Sequence, residues 1–215
     1  MITETVEGEA FMKKIVKVII VLLLAPLSAF AGLAVPGEFS PILASESFEL
    51  NGQKMIVEKY MADQAITLRV SDADGKQIFT SEVLGSEEKK FVIDRQALSL
   101  TVRDLNGDNN PELITAAFYG PASGLYIFTY DAASKQFKPM QFIHPEADLT
   151  RDFMVSDMRQ ENGEDLMFLS NDVVRALGMI YSADPEVEAV AGFYFYKLAE
   201  GTFKFVESKP VPVDE

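Results

Sequence analysis

Short stretches in which apolar and polar residues alternate follow one another through most of the chain. In the first half they lie at residues 55–60, 66–70, 77–80 and 91–93. In the middle, strands are also predicted at residues 98–102, 113–118, 125–130 and 137–142, of which 113–118 is apolar and partly β-branched. A period of two residues is typical of β-strands with one buried face. The pattern therefore predicts an all-β fold of antiparallel strands.

The strands group into three blade-like units of about fifty residues each. The units are predicted at residues 47–94, 98–142 and 153–208, within a single domain at 47–208. In the first unit, Asp72 to Gly75 separate two alternating runs, which predicts a hairpin turn rather than a metal site. Three units are fewer than the roughly 4–8 blades of closed propellers. The prediction is a partial or small β-propeller, or a barrel or sandwich built from the same meanders.

The third unit contains an insertion at residues 171–190. Its apolar residues recur at spacings near three and four and precede Pro185, which predicts a short helix. These residues are Val173, Val174, Leu177, Ile180 and Tyr181. Such an insertion either binds a partner or covers an open sheet edge.

The N-terminal region has the pattern of a secretory signal peptide. Lys13 and Lys14 precede an apolar run at 18–27 and the small-residue pattern that ends at Ala31. Cleavage is expected after Ala31, with Met12 as the true start and 1–31 removed. A membrane anchor is the alternative, although the run is shorter than the roughly 20 residues that span a bilayer. A leader at 32–46 and a tail at 209–215 are predicted to flank the domain.

Charge restricts the partners that the exported protein could bind. The formal net charge is −14, and it stays −14 without residues 1–31, which contain three acids and three lysines. Such a field repels nucleic acid and anionic lipid and attracts cations and basic proteins. The chain has no cysteine, so in a periplasmic or extracellular location a hydrophobic core, together with any bound metal, must stabilise it.

One loop carries oxygen-bearing side chains at alternate positions between two apolar runs. They are Asp104, Asn106, Asp108, Asn110 and Glu112. Calcium takes six to eight oxygen ligands, and alternate residues of a tight loop can point inward together. Gly107 and Asn109 lie between them, where positive φ is expected. The loop begins like an EF-hand, but position twelve is Thr115 and a strand follows.

The strand, acidic loop and strand together resemble the FG-GAP/VCBS class of calcium-loop repeats found in extracellular β-propellers. The resemblance implies one calcium ion, bound through the side chains of Asp104, Asn106, Asp108 and Glu112 and the backbone carbonyl of Asn110. Two positions depart from that class, because Asn109 replaces the usual glycine and Glu112 the usual aspartate. The alternative is a self-stabilised Asx-rich turn that binds no metal.

A second copy of this loop is predicted fifty-three residues further on. Asp157 and Asp165 then correspond to Asp104 and Glu112, and Arg159 corresponds to Asn106. A guanidinium cannot ligate calcium, so Asp157, Glu161 and Asp165 are predicted to form a degenerate loop without metal, closed by Arg159.

The sequence contains little that indicates catalysis. The single histidine, His144, is predicted to lie in a linker, and no nucleophile and base can be paired around it. The predicted function is therefore a non-enzymatic, exported, calcium-stabilised binding module with a protein partner. A metal-assisted hydrolase is the second of two alternatives.

The first alternative depends on a Ser-Gly-x-Tyr stretch that follows the calcium loop. Together with the acidic charge, this stretch resembles periplasmic lysozyme inhibitors and related immunity proteins. The resemblance implies that a loop enters the cleft of a basic enzyme such as a lysozyme. The residues assigned to that loop are Pro121, Ala122, Ser123, Gly124 and Tyr126.

Overall fold

A computed structural model describes residues 41–144, 149–182, 184 and 186–212. The described residues form strands and turns without a helix, so the all-β prediction is confirmed. In chain order the strands are β1 (Ile42–Leu50), β2 (Gln53–Ala62), β3 (Ala65–Asp72), β4 (Gln77–Thr80), β5 (Glu87–Lys89), β6 (Phe91–Ile93), β7 (Gln96–Leu98), β8 (Leu100–Arg103), β9 (Glu112–Tyr119), β10 (Ala122–Asp131), β11 (Gln136–Pro139), β12 (Gln141–His144), β13 (Leu149–Arg151), β14 (Met154–Ser156), β15 (Leu166–Ser170), β16 (Val173–Ile180), β17 (Val190–Ala199) and β18 (Thr202–Pro210).

The first sheet is an antiparallel meander in the order β1-β2-β3-β4. Its β3–β4 turn is the predicted hairpin: Asp72 accepts hydrogen bonds from the backbone N–H groups of Asp74 and Lys76, and Gly75 has a φ of 79°. Strand β1 begins at Ile42, so the predicted leader is wrong for 42–46. The predicted signal peptide lies outside the described residues.

The second sheet has the order β11-β10-β9-β5, with β8 also paired to β9 and β14 to β10. Strands β8 to β11 form an antiparallel meander, as predicted for the central unit. Strand β8 pairs with one half of β9 and β5 with the other half, so both lie along the same edge of β9. The predicted strand at 137–142 divides after Pro139, and its second half belongs to another sheet.

The third sheet has the order β13-β12-β18-β17-β16-β15-β6-β7. Strand β16 lies between β15 and β17 in this sheet, so the helix predicted in the insertion is wrong. Strand β6 also belongs here, and not to the first unit as predicted. The tail prediction is wrong for Lys209 and Pro210, which end β18.

Two hydrophobic cores lie on opposite faces of the second sheet. Strand β9 is buried except at its last residue, and it sends Leu113 and Ala117 into one core and Ile114 and Ala116 into the other. The core that contains Leu113 and Ala117 joins the first and second sheets. The core that contains Ile114 and Ala116 joins the second and third sheets. Burying a large aliphatic side chain contributes about 1.5–3 kcal/mol, which makes the β9–β10 pair central to stability.

Candidate metal centre

The acidic loop connects β8 to β9, and the paired residues Arg103 and Glu112 flank it. Asp104 organises the loop: its carboxylate accepts hydrogen bonds from the backbone N–H groups of Gly107, Asp108 and Asn109 at 2.7, 3.2 and 2.9 Å. Gly107 and Asn109 have φ angles of 78° and 65°, so the predicted positive φ is confirmed at both. The chain therefore curls around the Asp104 carboxylate.

Two further Asx contacts tighten the same loop. The backbone N–H of Asp108 donates to Asn106 Oδ1 at 2.9 Å, and that of Asn110 donates to Asp108 Oδ1 at 2.7 Å. Asn106 Nδ2 donates to Asp108 Oδ2 at 3.2 Å. Such contacts are also what a self-stabilised turn uses. The loop thus has a defined shape from its own residues.

Glu112 lies at the end of the loop, where β9 begins, and it is completely buried. Its Oε2 accepts from the Leu105 N–H at 2.7 Å, and its Oε1 accepts from Thr129 Oγ1 at 3.1 Å and Asn106 Nδ2 at 3.3 Å. Burial raises the pKa of Glu112. The Leu105 and Thr129 hydrogen bonds oppose this rise, and the negative charges of Asp108 and Asp104 add to it.

These three acids lack a basic counterpart among the described residues. The ion pairs formed there include none with Asp104, Asp108 or Glu112. No group of three or more His, Cys, Asp or Glu residues in the described ranges is already spaced to hold a metal ion. The donor set of three carboxylates and two amides is nevertheless the chemistry that calcium takes, and a cation would relieve the repulsion around Glu112.

In the second loop an ammonium group contacts the last of the predicted acids, Asp165. Lys89 Nζ, from β5, is 2.6 Å from Asp165 Oδ1 and 2.5 Å from the Gln160 carbonyl oxygen. Both the Lys89 and the Asp165 side chains are fully buried. Arg159 pairs with Glu161 of the predicted loop, but its predicted role is wrong for Asp165, whose counter-charge comes from a strand seventy-six residues earlier in the chain.

The other members of the second loop point elsewhere. Arg159 pairs with Glu87 at 2.7 Å and with Glu161 at 3.2 Å, and its guanidinium lies 3.8 Å from the centre of the Phe118 ring. Asp157 accepts a hydrogen bond from the Met179 N–H of β16 at 3.3 Å. The structure thus does not gather Asp157, Glu161 and Asp165 into one cluster.

The stretch assigned to an inhibitory loop is mostly part of β10. Pro121 is exposed and Ala122 half-buried, but Ser123, Gly124 and Tyr126 are buried. The Tyr126 hydroxyl donates to the Leu84 carbonyl, and a side chain at Gly124 would place its Cβ 2.9 Å from that hydroxyl oxygen. The glycine is needed because the tyrosine ring lies across it. The prediction that these residues enter an enzyme cleft is wrong for Ser123, Gly124 and Tyr126.

His144 lies at the end of β12 and not in a linker as predicted. Its ring centre is 5.4, 6.3 and 6.1 Å from those of Tyr194, Tyr196 and Phe205. His144 and Asp157 both line a cavity of about 270 Å³ beside this aromatic group. The histidine is therefore packed among aromatic rings.

The sequence reading missed the two buried lysines, Lys59 and Lys89. Lys59 Nζ lies 2.8 Å from Glu88 Oε2 and within 3.3 Å of the carbonyl oxygens of Lys89, Ser99 and Ala116. The signal that could have identified Lys59 is its position in the strand. Alternate residues of a strand share one face, so Lys59 lies on the same face of β2 as the buried Met55 and Val57.

The chain matches no protein-family model and no curated protein sequence. The described residues contain no helix that is long and apolar enough to cross a bilayer.

Proposed function

We propose that the protein is an exported, non-enzymatic binding module whose β8–β9 loop binds one calcium ion. The observation that supports this most directly is Glu112: a buried carboxylate beside Asp104 and Asp108, without a basic partner in the described part of the chain. Asp165, which lies fifty-three residues after Glu112 in the sequence, does have a cation, the Lys89 ammonium. The comparison favours a cation in the first loop too, where no lysine of the described ranges reaches the acids.

In this proposal Asp104, Asn106, Asp108 and Glu112 would hold the ion through side-chain oxygens, and Asn110 through its carbonyl. Calcium would neutralise the mutual repulsion of the three carboxylates and fix the β8–β9 connection. Because β9 contributes to both hydrophobic cores, the ion would stabilise the fold as a whole. The role is structural, and binding of the partner would use another surface.

Calcium titration into metal-stripped protein is expected to give one binding event by calorimetry. Mass action predicts about 2.7 kcal/mol of added stability at a calcium concentration one hundred times the dissociation constant. Asp108→Ala removes one carboxylate from the loop and should abolish the calorimetric signal. Asp74→Ala, in the β3–β4 turn, removes an equal charge from another acidic turn and should leave it intact. Calcium binding that survives Asp108→Ala, or a melting temperature unchanged by chelator, would contradict the proposal.

Export is the second part of the proposed function. The support is Lys13, Lys14, the apolar run at 18–27 and the small-residue pattern ending at Ala31. The exported protein is expected to begin at Gly32, and intact-mass measurement of the secreted or periplasmic fraction tests this directly. Retention of 12–31 in the measured mass would indicate a membrane anchor instead.

A further inference from the structure

A groove of about 440 Å³ lies where the first and second sheets meet. Its walls come from residues 79–84, which end and follow β4, from the end of β9, from β10, and from Asp152 and Phe153. Aromatic rings form much of the lining: Phe79, Tyr119, Tyr126, Phe128 and Phe153. Two apolar side chains at the groove are largely open to solvent, since Tyr119 is 66% exposed and Val83 63%. This exposure makes the groove an interaction surface.

The charge at this groove has one sign. Of the residues that the structure describes, Glu82 and Asp152 line it, and no lysine, arginine or histidine does. Neither acid forms an ion pair with another described residue. By contrast, Arg151, Arg95 and Arg69 each line one of three other cavities in the described chain. The groove that combines aromatic walls with unpaired carboxylates therefore selects for a cation with an apolar stem.

We propose that this groove binds an arginine or lysine side chain presented by a basic protein. The aliphatic stem of such a side chain would pack on Phe79, Val83 and Phe153, because long cationic side chains bury their stems on apolar surface. Its charged head would lie near Glu82 and Asp152, with the exposed Tyr119 ring available for a cation–π contact. The net charge of −14 accelerates the encounter with a basic partner. This inference rests on the proposed binding-module function and assigns its partner class and surface.

The groove is part of the fold and does not depend on a loop that must open. The Tyr126 hydroxyl is bonded to the Leu84 carbonyl, and its ring stacks on Phe153 at 5.0 Å between centres. The Leu84 N–H donates to Ile66 at 2.8 Å, which fixes the 81–84 segment against β3. Preformed walls reduce the ordering cost of binding. The groove is therefore expected to bind with little change in the backbone.

The test is an NMR titration of the protein with two short peptides, acetyl-Gly-Leu-Arg-Leu-Gly-amide and its citrulline analogue. Citrulline keeps the shape of arginine and removes its charge. The arginine peptide is expected to shift the amide signals of Val83, Tyr119 and Asp152. The double variant Glu82→Gln/Asp152→Asn should weaken this binding at least about tenfold. The matched control Glu49→Gln/Asp74→Asn makes the same change in net charge at exposed positions outside the groove lining, and should bind like the wild type.

Four outcomes would overturn the proposal. The first three are no shift at the groove, equal binding of the citrulline peptide, and equal weakening in both double variants. The fourth is movement of the groove signals on simple concentration of the protein, which would make a second copy the occupant. The titration is run with calcium and again with chelator, so a failure of calcium binding at Asp108 and a failure of peptide binding are read separately.

Discussion

Replacement of Lys89 by methionine is expected to lower the free energy of unfolding by about 3–5 kcal/mol. The change removes the ammonium that lies 2.6 Å from Asp165 Oδ1 and leaves a fully buried carboxylate without a counter-charge. Asp165 Oδ2 already lacks a hydrogen-bond partner among the described residues, so the lost charge is not replaced. Lys89 is in the second sheet and Asp165 precedes β15 of the third sheet. The variant therefore also loses an ion pair that connects these two sheets. Urea unfolding measures the loss.

The neighbouring Lys90 supplies the control, because it is exposed and one residue away. Lys90→Met should change the stability by less than about 0.5 kcal/mol. The double variant Lys89→Met/Asp165→Leu removes both charges and should recover most of the lost stability, since buried pairs are often replaced by apolar residues at little cost. If Lys89→Met is as stable as Lys90→Met, or if the double variant is no better than the single one, the pair does not have this role.

Local turn chemistry explains why much of the fold was predictable. The Asp72 side chain and the glycine at 75 specify a hairpin whatever surrounds them, and Gly107 and Asn109 likewise specify the positive φ of the acidic loop. Alternation within the strands placed β2 and β3, and the apolar, partly β-branched run at 113–118 placed β9. These features depend on residues a few positions apart.

The assignment of strands to sheets was not predictable in the same way. Strands β11 and β12 are separated by Met140 alone and belong to different sheets, because β11 forms a local hairpin with β10 whereas β12 pairs with the distant β18. Strand β16 was predicted as a helix because Val173, Val174, Leu177 and Ile180 fit a period near 3.6. In the sheet, buried residues occur on both faces of β16, which masks the period of two.

The same distinction applies to the candidate site. The acidic loop is contiguous, so its residues could be named from the sequence. Lys89, which supplies the cation to the second loop, is seventy-six residues from Asp165, and the sequence favoured the nearer Arg159 instead. The buried state of Ser123 also depended on tertiary structure, since its pairing with Ser156 of β14 joins two predicted units. Contacts between residues far apart in the sequence therefore determined the cation at Asp165 and the burial of Ser123, and local sequence patterns do not show such contacts.

Replacement of Lys59 by methionine is expected to cost about 3–5 kcal/mol of unfolding free energy. Lys59 reaches from the first sheet to the point where β9 changes its neighbour from β8 to β5. There its ammonium donates to the carbonyls of Ala116, Lys89 and Ser99, at 2.6, 3.2 and 3.3 Å. Methionine fills the space but leaves these acceptors without that donor, and buried unsatisfied groups cost about 1–3 kcal/mol each. Glu88 also loses its partner, and the Oε2 atom that contacts Lys59 is buried although the side chain is 33% exposed. Thermal and urea unfolding measure the loss.

The pH dependence of the Lys59→Met effect supplies a second, independent measurement. Burial lowers the pKa of Lys59 from 10.5, and the nearby Glu88 carboxylate opposes this. Between the lowered pKa and 10.5 the unfolded chain binds more protons at this site than the folded one, so wild-type stability rises with pH in that window. The variant lacks this contribution, and the difference in stability between wild type and Lys59→Met should therefore grow as pH rises toward 10.5. Lys54→Met, at an exposed position on the same strand, should differ from the wild type by little and without this slope. A difference for Lys59→Met that is small, or that shrinks across the same window, would mean that the buried ammonium does not join the first and second sheets in this way.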